Sequence, residues 1–287
     1  MMGKKRIKPI RWHKIPQDEL PRTELYLRAR ERFCVSASAR FLRMNENHDH
    51  AWYLNSCENK ISAFLLHSKR SLFPVFDTDV EVPCPRFLSR FLIKIPIHAI
   101  QGLKQDTDRL EVLMKKQGYF AKEQIDYYLM GIDRTPGIEA LGAGPLNLIL
   151  RLPAKGDGEH LFELQAAYEQ EEVIPKSGKF NPAACRYNLN RILSNEHILV
   201  AELNGEVVGK INTSAESFTR YQVGGVYVRP DYRGLGIGTK MTSVFVQSLL
   251  IPGKGITLFV KKCNTTAVAV YRKAGFSIQG DYRICYF

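Results

Sequence analysis

Residues 224–241 read GGVYVRPDYRGLGIGTKM, and the second half of the chain is organised around this stretch. Val226, Tyr227 and Val228 describe a strand that Pro230 must end, because proline has no N–H to give to a ladder. Gly234, Gly236 and Gly238 then alternate with Leu235 and Ile237, so every second position tolerates φ > 0 or the close approach of another group. The following GIGTKMTSVFVQSLL has helical periodicity. A strand, a glycine turn and a helix start together present free backbone N–H groups, since the first N–H groups of a helix have no intrahelical partner and lie at the positive end of its dipole. The stretch predicts an anion site on the backbone from Leu235 through Gly236, Ile237 and Gly238 to Thr239, with Arg233 and Lys240 adding charge.

Working outward, LNLILRLPA reads as a strand, GEHLFELQAAYEQEEV as a helix and PAACRYNLNRILS as a second helix opened by Pro182. HILVAEL turns through Asn204-Gly205 into EVVGKINTSA, a hairpin with a strong turn signal. RYQVGGVYV, ITLFVKK and DYRICYF are further strands, and TTAVAVYRKAG a further helix. Upstream, LPRTELYLRARERF is helical, AWYLNS, KISAFLLHS and SLFPVF are strands, CPRFLSRFLIK is helical, and DTDRLEVLMKKQG is a helix with Asp106 as its N-cap and Gly118 as its stop. EQIDYYLMGI is a strand. TPGIEALGAGPL, from Thr135 to Leu146, collects two prolines and three glycines and marks a domain boundary. This order predicts an α/β (α+β) fold, a mixed sheet covered by helices. The hairpins LNSCENKISAFLL and LVAELNGEVVGKI resemble each other, which points to a duplicated fold with the glycine loop in the second copy alone.

At 287 residues, 45% hydrophobic and 24% charged, the chain has the composition of a globular protein with room for two domains. It holds no apolar run long enough to span a membrane and no secretory leader, so a cytoplasmic protein is expected. Six scattered cysteines without a C-x-x-C pair predict reduced thiols and no metal site. Of the net charge of +12, much comes from residues 1–43, where twelve Lys or Arg face four acids. Residues 1–22 read as a basic arm. A basic arm with no interleaved aromatic platform reads as a solvated tail and helix face, not as a nucleic-acid site.

On these residues the C-terminal half resembles the GNAT N-acetyltransferases. Arg233, Gly236 and Gly238 fit that family's R/Q-x-x-G-x-G/A acetyl-CoA signature. In LFVKKCNTTAVAVYRKAGF, Asn264, Ala267, Tyr271, Gly275 and Phe276 fall on the N-x-x-A-x-x-x-Y-x-x-x-G-F pattern of its last helix. The likeness covers roughly residues 146–287 and is nearest to bacterial members and the glycine N-acyltransferase-like branch. It implies a mostly antiparallel central sheet flanked by helices, the GNAT fold, and a catalytic domain at 146–287. Residues 23–138 resemble, more faintly, a degenerate GNAT-like accessory domain without the signature, so two tandem domains are expected.

The resemblance implies an acetyl-CoA-dependent N-acetyltransferase acting by direct attack of a primary amine in a ternary complex. The pyrophosphate would lie on Arg233, Gly234, Leu235, Gly236, Ile237, Gly238 and Thr239. The pantetheine arm would lie along Val226, Tyr227 and Val228, where Gly224-Gly225 gives room for a bulge that splays the sheet. The N–H of Val228 or of Tyr227 would face the thioester carbonyl, Asn264 and Ala267 would touch the pantetheine, and Tyr271 would protonate the departing thiolate. Carboxylates that could take the amine's proton are Glu169, Glu171, Glu172 and Glu202, with Glu171 and Glu172 carried forward. An acidic rim there would favour a cationic acceptor, a small molecule or a peptide amine. A homo-oligomer is compatible with all of this. The rival readings are an acyl-CoA-binding sensor without turnover whose basic arm engages a partner, and a scaffold built of tandem GNAT-like domains.

Overall fold

The computed structural model describes residues 11–45, 47–82, 95–134 and 144–287. The chain forms two compact units, residues 1–126 with 281–287 and residues 127–280. The helix expected in CPRFLSRFLIK, most of the linker after Arg134 and the first ten residues of the arm lie outside the described residues.

In the first unit the described elements are β1 (Trp12–Lys14), α1 (Leu20–Arg28), α2 (Glu31–Leu42), β2 (His50–Asn55), β3 (Ile61–Ser68), β4 (Ser71–Phe76), β5 (Ala99–Leu103) and α3 (Lys104–Lys115). The strands pair in the order β1-β2-β3-β4-β5, antiparallel except for β4 with β5. The end of the last strand, β12 (Ser277–Tyr286), adds antiparallel to β5 from Tyr282 to Tyr286. Two expectations are corrected here. Part of the basic arm is sheet, because Trp12, His13 and Lys14 pair with Leu54, Tyr53 and Trp52. Asp106 is no N-cap: the helix begins at Lys104, and the buried Asp106 carboxyl accepts the Phe76 N–H at 3.2 Å. Burial pushes that carboxyl up to about 7. The basic residues of α1 and its flank are partly answered within the unit, Arg22 by Glu19, Arg28 by Glu24 and Arg30 by Asp77.

The second unit takes in Tyr127–Ile132 of β6 (Glu123–Ile132), then β7 (Leu148–Arg151), α4 (Gly158–Tyr168), a π-helical turn (Glu169–Val173), α5 (Pro182–Asn195), β8 (Ile198–Leu203), β9 (Glu206–Glu216), β10 (Arg220–Val228), α6 (Ile237–Leu249), β11 (Gly255–Lys261) and α7 (Thr265–Lys273). Its strand order is β7-β8-β9-β10-β11-β6, antiparallel except for β10 with β11. The boundary was expected near the proline-glycine linker. The contacts instead carry Tyr127–Ile132 into the second unit, since they pair with Lys261–Ile256 of β11. Both faces of this sheet are covered. Met241, Phe245, Leu258, Val268 and Phe276 share one core with α6 and α7, and Leu161, Leu164, Leu189, Val200 and Tyr227 share the other with α4 and α5. Asn204 and Gly205 close the β8–β9 hairpin with φ of 53° and 85°, the pair of left-handed residues that a tight hairpin turn demands.

Candidate active site

In the second unit two neighbouring strands stop pairing part-way along their length. β10 is hydrogen-bonded to β11 through Arg220, Tyr221 and Gln222, opposite Gly255, Ile256 and Thr257, and no register pair follows. Beyond Gln222, β11 continues on β6 and β10 continues on β9, so each keeps an unpaired edge facing the other. The divergence coincides with a bulge. Gly224 pairs with Asn212 and Tyr227 with Lys210, leaving Gly225 and Val226 between the register pairs. Gly225 has φ of 60°, and a Cβ there would stand 2.1 Å from Asn212 Oδ1 and 2.8 Å from Lys210 Nζ. Only glycine fits, for reasons of conformation and of space.

Strand alternation then sorts the backbone. Arg229 N–H donates to the Val208 carbonyl on β9 at 2.9 Å, and the Tyr227 carbonyl lies against Gly209 of β9. Tyr227 therefore turns its backbone polar groups toward β9 and Val228 turns its own to the open edge, while the Val226 N–H, inside the bulge, points away from the Gly225 carbonyl that Lys210 holds. Arg233 Nε reaches the Val228 carbonyl from that side at 3.0 Å.

Downstream, the glycine loop leads into α6. Gly234 and Gly236 have φ of 83° and 79°, and Gly236 is an N-cap with no side chain to satisfy the first turn. Among the described residues, the N–H groups of Leu235, Ile237, Gly238 and Thr239 donate to no protein acceptor, and the first donor of the turn is Lys240, to Gly236 O. Gly238 differs from the other two. Its φ is not positive, and an added Cβ would meet only Val228 Cγ2 at 3.8 Å and Val270 at 4.0 Å. The chain's own packing leaves room for a methyl group at Gly238.

The π-helical turn straps this region. Glu171 accepts from the Tyr227 hydroxyl at 2.5 Å and from Arg233 Nη2 at 2.9 Å. Glu172 accepts from Asn264 Nδ2 at 2.9 Å and lies 3.4 Å from Lys261 Nζ, which donates to the Glu171 carbonyl at 2.9 Å. Burial alone would push the Glu171 carboxyl up, but the bonds from Tyr227 and Arg233 outweigh it and its pKa is lowered. Asn264 caps α7 with its Oδ1, which accepts from Ala267 N at 3.0 Å. The EQEEV segment was read as the tail of an α-helix; its hydrogen-bonding partners on β10, β11 and α7 instead hold it as a wider turn across the splayed strands.

Tyr271 is buried on α7 with its ring edge-on to Phe276 at 6.0 Å. Among the described residues its hydroxyl makes no hydrogen bond. Burial raises its pKa, and the Tyr168 and Glu172 charges raise it further, so the group stays protonated through the neutral range. On the α4 side, sequence reasoning missed a polar cluster under the bulge. Lys210, fully buried on β9, donates from Nζ to Asn212 Oδ1 at 2.9 Å and to the Gly225 carbonyl at 3.0 Å, with the Tyr168 ring 5.2 Å away. Burial raises the Tyr168 pKa, and the neighbouring Gly225 backbone lowers it in part. Glu169 accepts from Gln165 and Asn188, at 2.8 and 2.9 Å. A lone lysine inside an apolar strand carried no motif. The one available signal was its place two residues before Asn212, on the same strand face.

The acetyltransferase (GNAT) family model matches residues 160–276. Over those residues the chain is similar to the GNAT acetyltransferases. A curated relative, an acetyltransferase of Sodalis glossinidius, is 36% identical over 84 residues, which is 28% of this chain and 57% of the relative. The chain thus spans little more than half the length of that relative. The GCN5-related N-acetyltransferase of Sphaerobacter thermophilus superposes with a TM-score of 0.60 at 17% identity, covering 96% of this chain and 95% of its own. A tandem GNAT protein from the clavulanic acid biosynthesis pathway gives 0.55 at 12%, covering 96% and 98%. At such identities the likeness is one of fold. Its coverage extends the fold beyond residues 160–276 to the first unit, in keeping with tandem GNAT-like domains. No helix of the described residues is long and apolar enough to cross a membrane.

Proposed function

We propose that the chain is an acetyl-CoA-dependent N-acetyltransferase that moves an acetyl group to a primary amine by direct attack in a ternary complex. The observation that carries this reading is the loss of β10–β11 pairing after Gln222, beside a helix start whose N–H groups have no acceptor. Unpaired strand edges suit an amide-rich arm, and uncapped N–H groups at a helix start suit a pyrophosphate; each charge–dipole contact contributes about 0.3–1 kcal/mol. Acetyl-CoA supplies an activated acyl group as a thioester. Because β10 runs into the loop, the thioester lies at the bulge end of the strand. There Val228 would pair with the arm and the Val226 N–H would serve as the donor to the thioester carbonyl, where negative charge develops.

Tyr271 holds the proton that the leaving sulfur needs. It stays protonated, and among the described residues its hydroxyl has no hydrogen-bond partner to release. Glu171 and Glu172 are spent on Tyr227, Arg233, Asn264 and Lys261, and Glu171, with its lowered pKa, is a weak base. They position the strap over the cleft, and the attacking amine gives its proton to water. With its acids paired to the chain's own cations, the rim selects acceptors by shape more than by positive charge. The first unit, which lacks the R-x-x-G-x-G signature, takes an accessory role. Free-thiol release from acetyl-CoA across a panel of amines and peptides tests the assignment; stabilisation by acetyl-CoA without release from any amine would refute catalysis and leave binding.

A further inference from the structure

Resting on that reading of the cleft, we infer that Lys210 is a positioning residue for the thioester: its buried ammonium holds the Gly225 carbonyl, and so fixes and polarises the Val226 N–H. The peptide bond makes the link. Gly225 C=O and Val226 N–H belong to one planar trans unit and point in opposite directions, so a donor fixed on the oxygen sets the direction of the N–H. The Gly225 carbonyl is held by Lys210 Nζ at 3.0 Å, and Lys210 is itself held by Asn212 Oδ1 at 2.9 Å. Without these bonds a glycine at a bulge has wide backbone freedom. A charged donor on the carbonyl also strengthens the N–H of the same amide, as chained hydrogen bonds do in a low-dielectric interior.

Bulge formation alone does not require this lysine. Gly225 with φ of 60° would satisfy the turn next to any small neutral neighbour. A fully buried ammonium is costly when no carboxylate is bonded to it, and the ion pairs of the second unit leave Lys210 out. The titratable or charged groups facing it are Tyr168 and Glu169 at the end of α4 and in the strap, and Cys185 on α5; Asn212 and the Gly225 carbonyl complete its surroundings. Burial brings the lysine down to about 7 against the pull of Glu169, whereas Cys185 is pushed up to about 11 and Tyr168 is raised. The charge of the lysine thus changes between pH 6 and 8.

The test needs no acceptor amine. The full chain is titrated with acetyl-CoA, with S-ethyl-coenzyme A, which lacks the carbonyl, and with coenzyme A, for the wild type and Lys210→Met. Wild type is expected to prefer acetyl-CoA over the S-ethyl analogue, and Lys210→Met to bind the two within about twofold while retaining its affinity for coenzyme A. The infrared stretch of the carbonyl-13C thioester is expected at lower frequency in wild type than in water, and to move back as pH rises through about 7. That titration needs no variant, so it decides the matter even where Lys210→Met does not fold. Turnover of Lys210→Met is expected to fall about ten- to a hundredfold, mostly in kcat, below the 10²–10³ lost when a donor is deleted outright. Undiminished discrimination in Lys210→Met, or a stretch unchanged from pH 6 to 8, overturns the inference. Failure of wild type to bind coenzyme A overturns the reading of the cleft along with it.

Discussion

Gly238→Ala separates what the fold needs from what a ligand needs. The new methyl group would lie 3.8 Å from Val228 and 4.0 Å from Val270, ordinary contact distances, on a residue already helical. Replacing glycine by alanine in a helix stabilises it by about 0.5–1 kcal/mol. For a unit of this size that is a rise in Tm of about 1–4 °C without ligand. On the proposed reading the same methyl group would project where a pyrophosphate approaches the uncapped N–H groups, and overpacking a tight contact costs about 1–3 kcal/mol. At a ligand concentration one hundred times the wild-type Kd, wild type gains about 2.7 kcal/mol, and a variant bound tenfold more weakly gains about 1.4. Thermal unfolding with and without acetyl-CoA measures both quantities. The expected result is a higher Tm alone and a shift about half as large with ligand. A lower Tm without ligand, or a full ligand shift, would refute the reasoning.

Gly225→Ala should act in the opposite sense on stability. Left-handed backbone costs about 1–2 kcal/mol and the clash with Asn212 and Lys210 about 1–3 more, so chemical denaturation should show a loss of about 2–5 kcal/mol. Tyr271→Phe should leave the Tm within about a degree, since the hydroxyl makes no hydrogen bond among the described residues, and lower thiol release about 10²–10⁴-fold; full turnover would remove it as the proton donor. Asn264→Ala removes the cap of α7 and a contact to Glu172, for a loss of about 0.5–2 kcal/mol seen by urea unfolding. Because the Glu171 pKa is lowered in the folded state, its carboxylate stabilises the protein above the ordinary glutamate range and ceases to as pH falls through the lowered value. Acid titration of stability should therefore be shallower in Glu171→Gln than in wild type, and identical slopes would contradict the bond pattern of the strap.

Much of the second unit is legible in one dimension because its signals are local. Asn204-Gly205 can hardly form anything but a hairpin turn, and Asn181 and Pro182 start α5 by side-chain capping and a fixed φ. Gly234 and Gly236 stand where the chain reverses into a helix, and their φ values follow from that reversal. The strap was misread for the opposite reason. EQEEV has the composition of a solvated helix end, and only partners 56 to 92 residues away, namely Tyr227, Arg233, Lys261 and Asn264, convert it into a clamp. The allotment of β6 to the second unit and of the chain end to the first escaped for the same reason, because a strand's partner is not written in the strand.

The sequence by itself thus determined the glycine loop, the helix it opens and the hairpin, since each depends on backbone sterics within a few residues, while Asn264 and Tyr271 were singled out by the family resemblance. Tertiary structure decided where the sheet splits, which N–H groups face the opening, and that Glu171 and Glu172 are bound to the chain's own cations. It also decided that Lys210 lies buried under Gly225. A lysine in a strand is usually a solvent-facing residue, and burial and the loss of hydration, which change its chemistry, exist only once the helices α4 and α5 close over it.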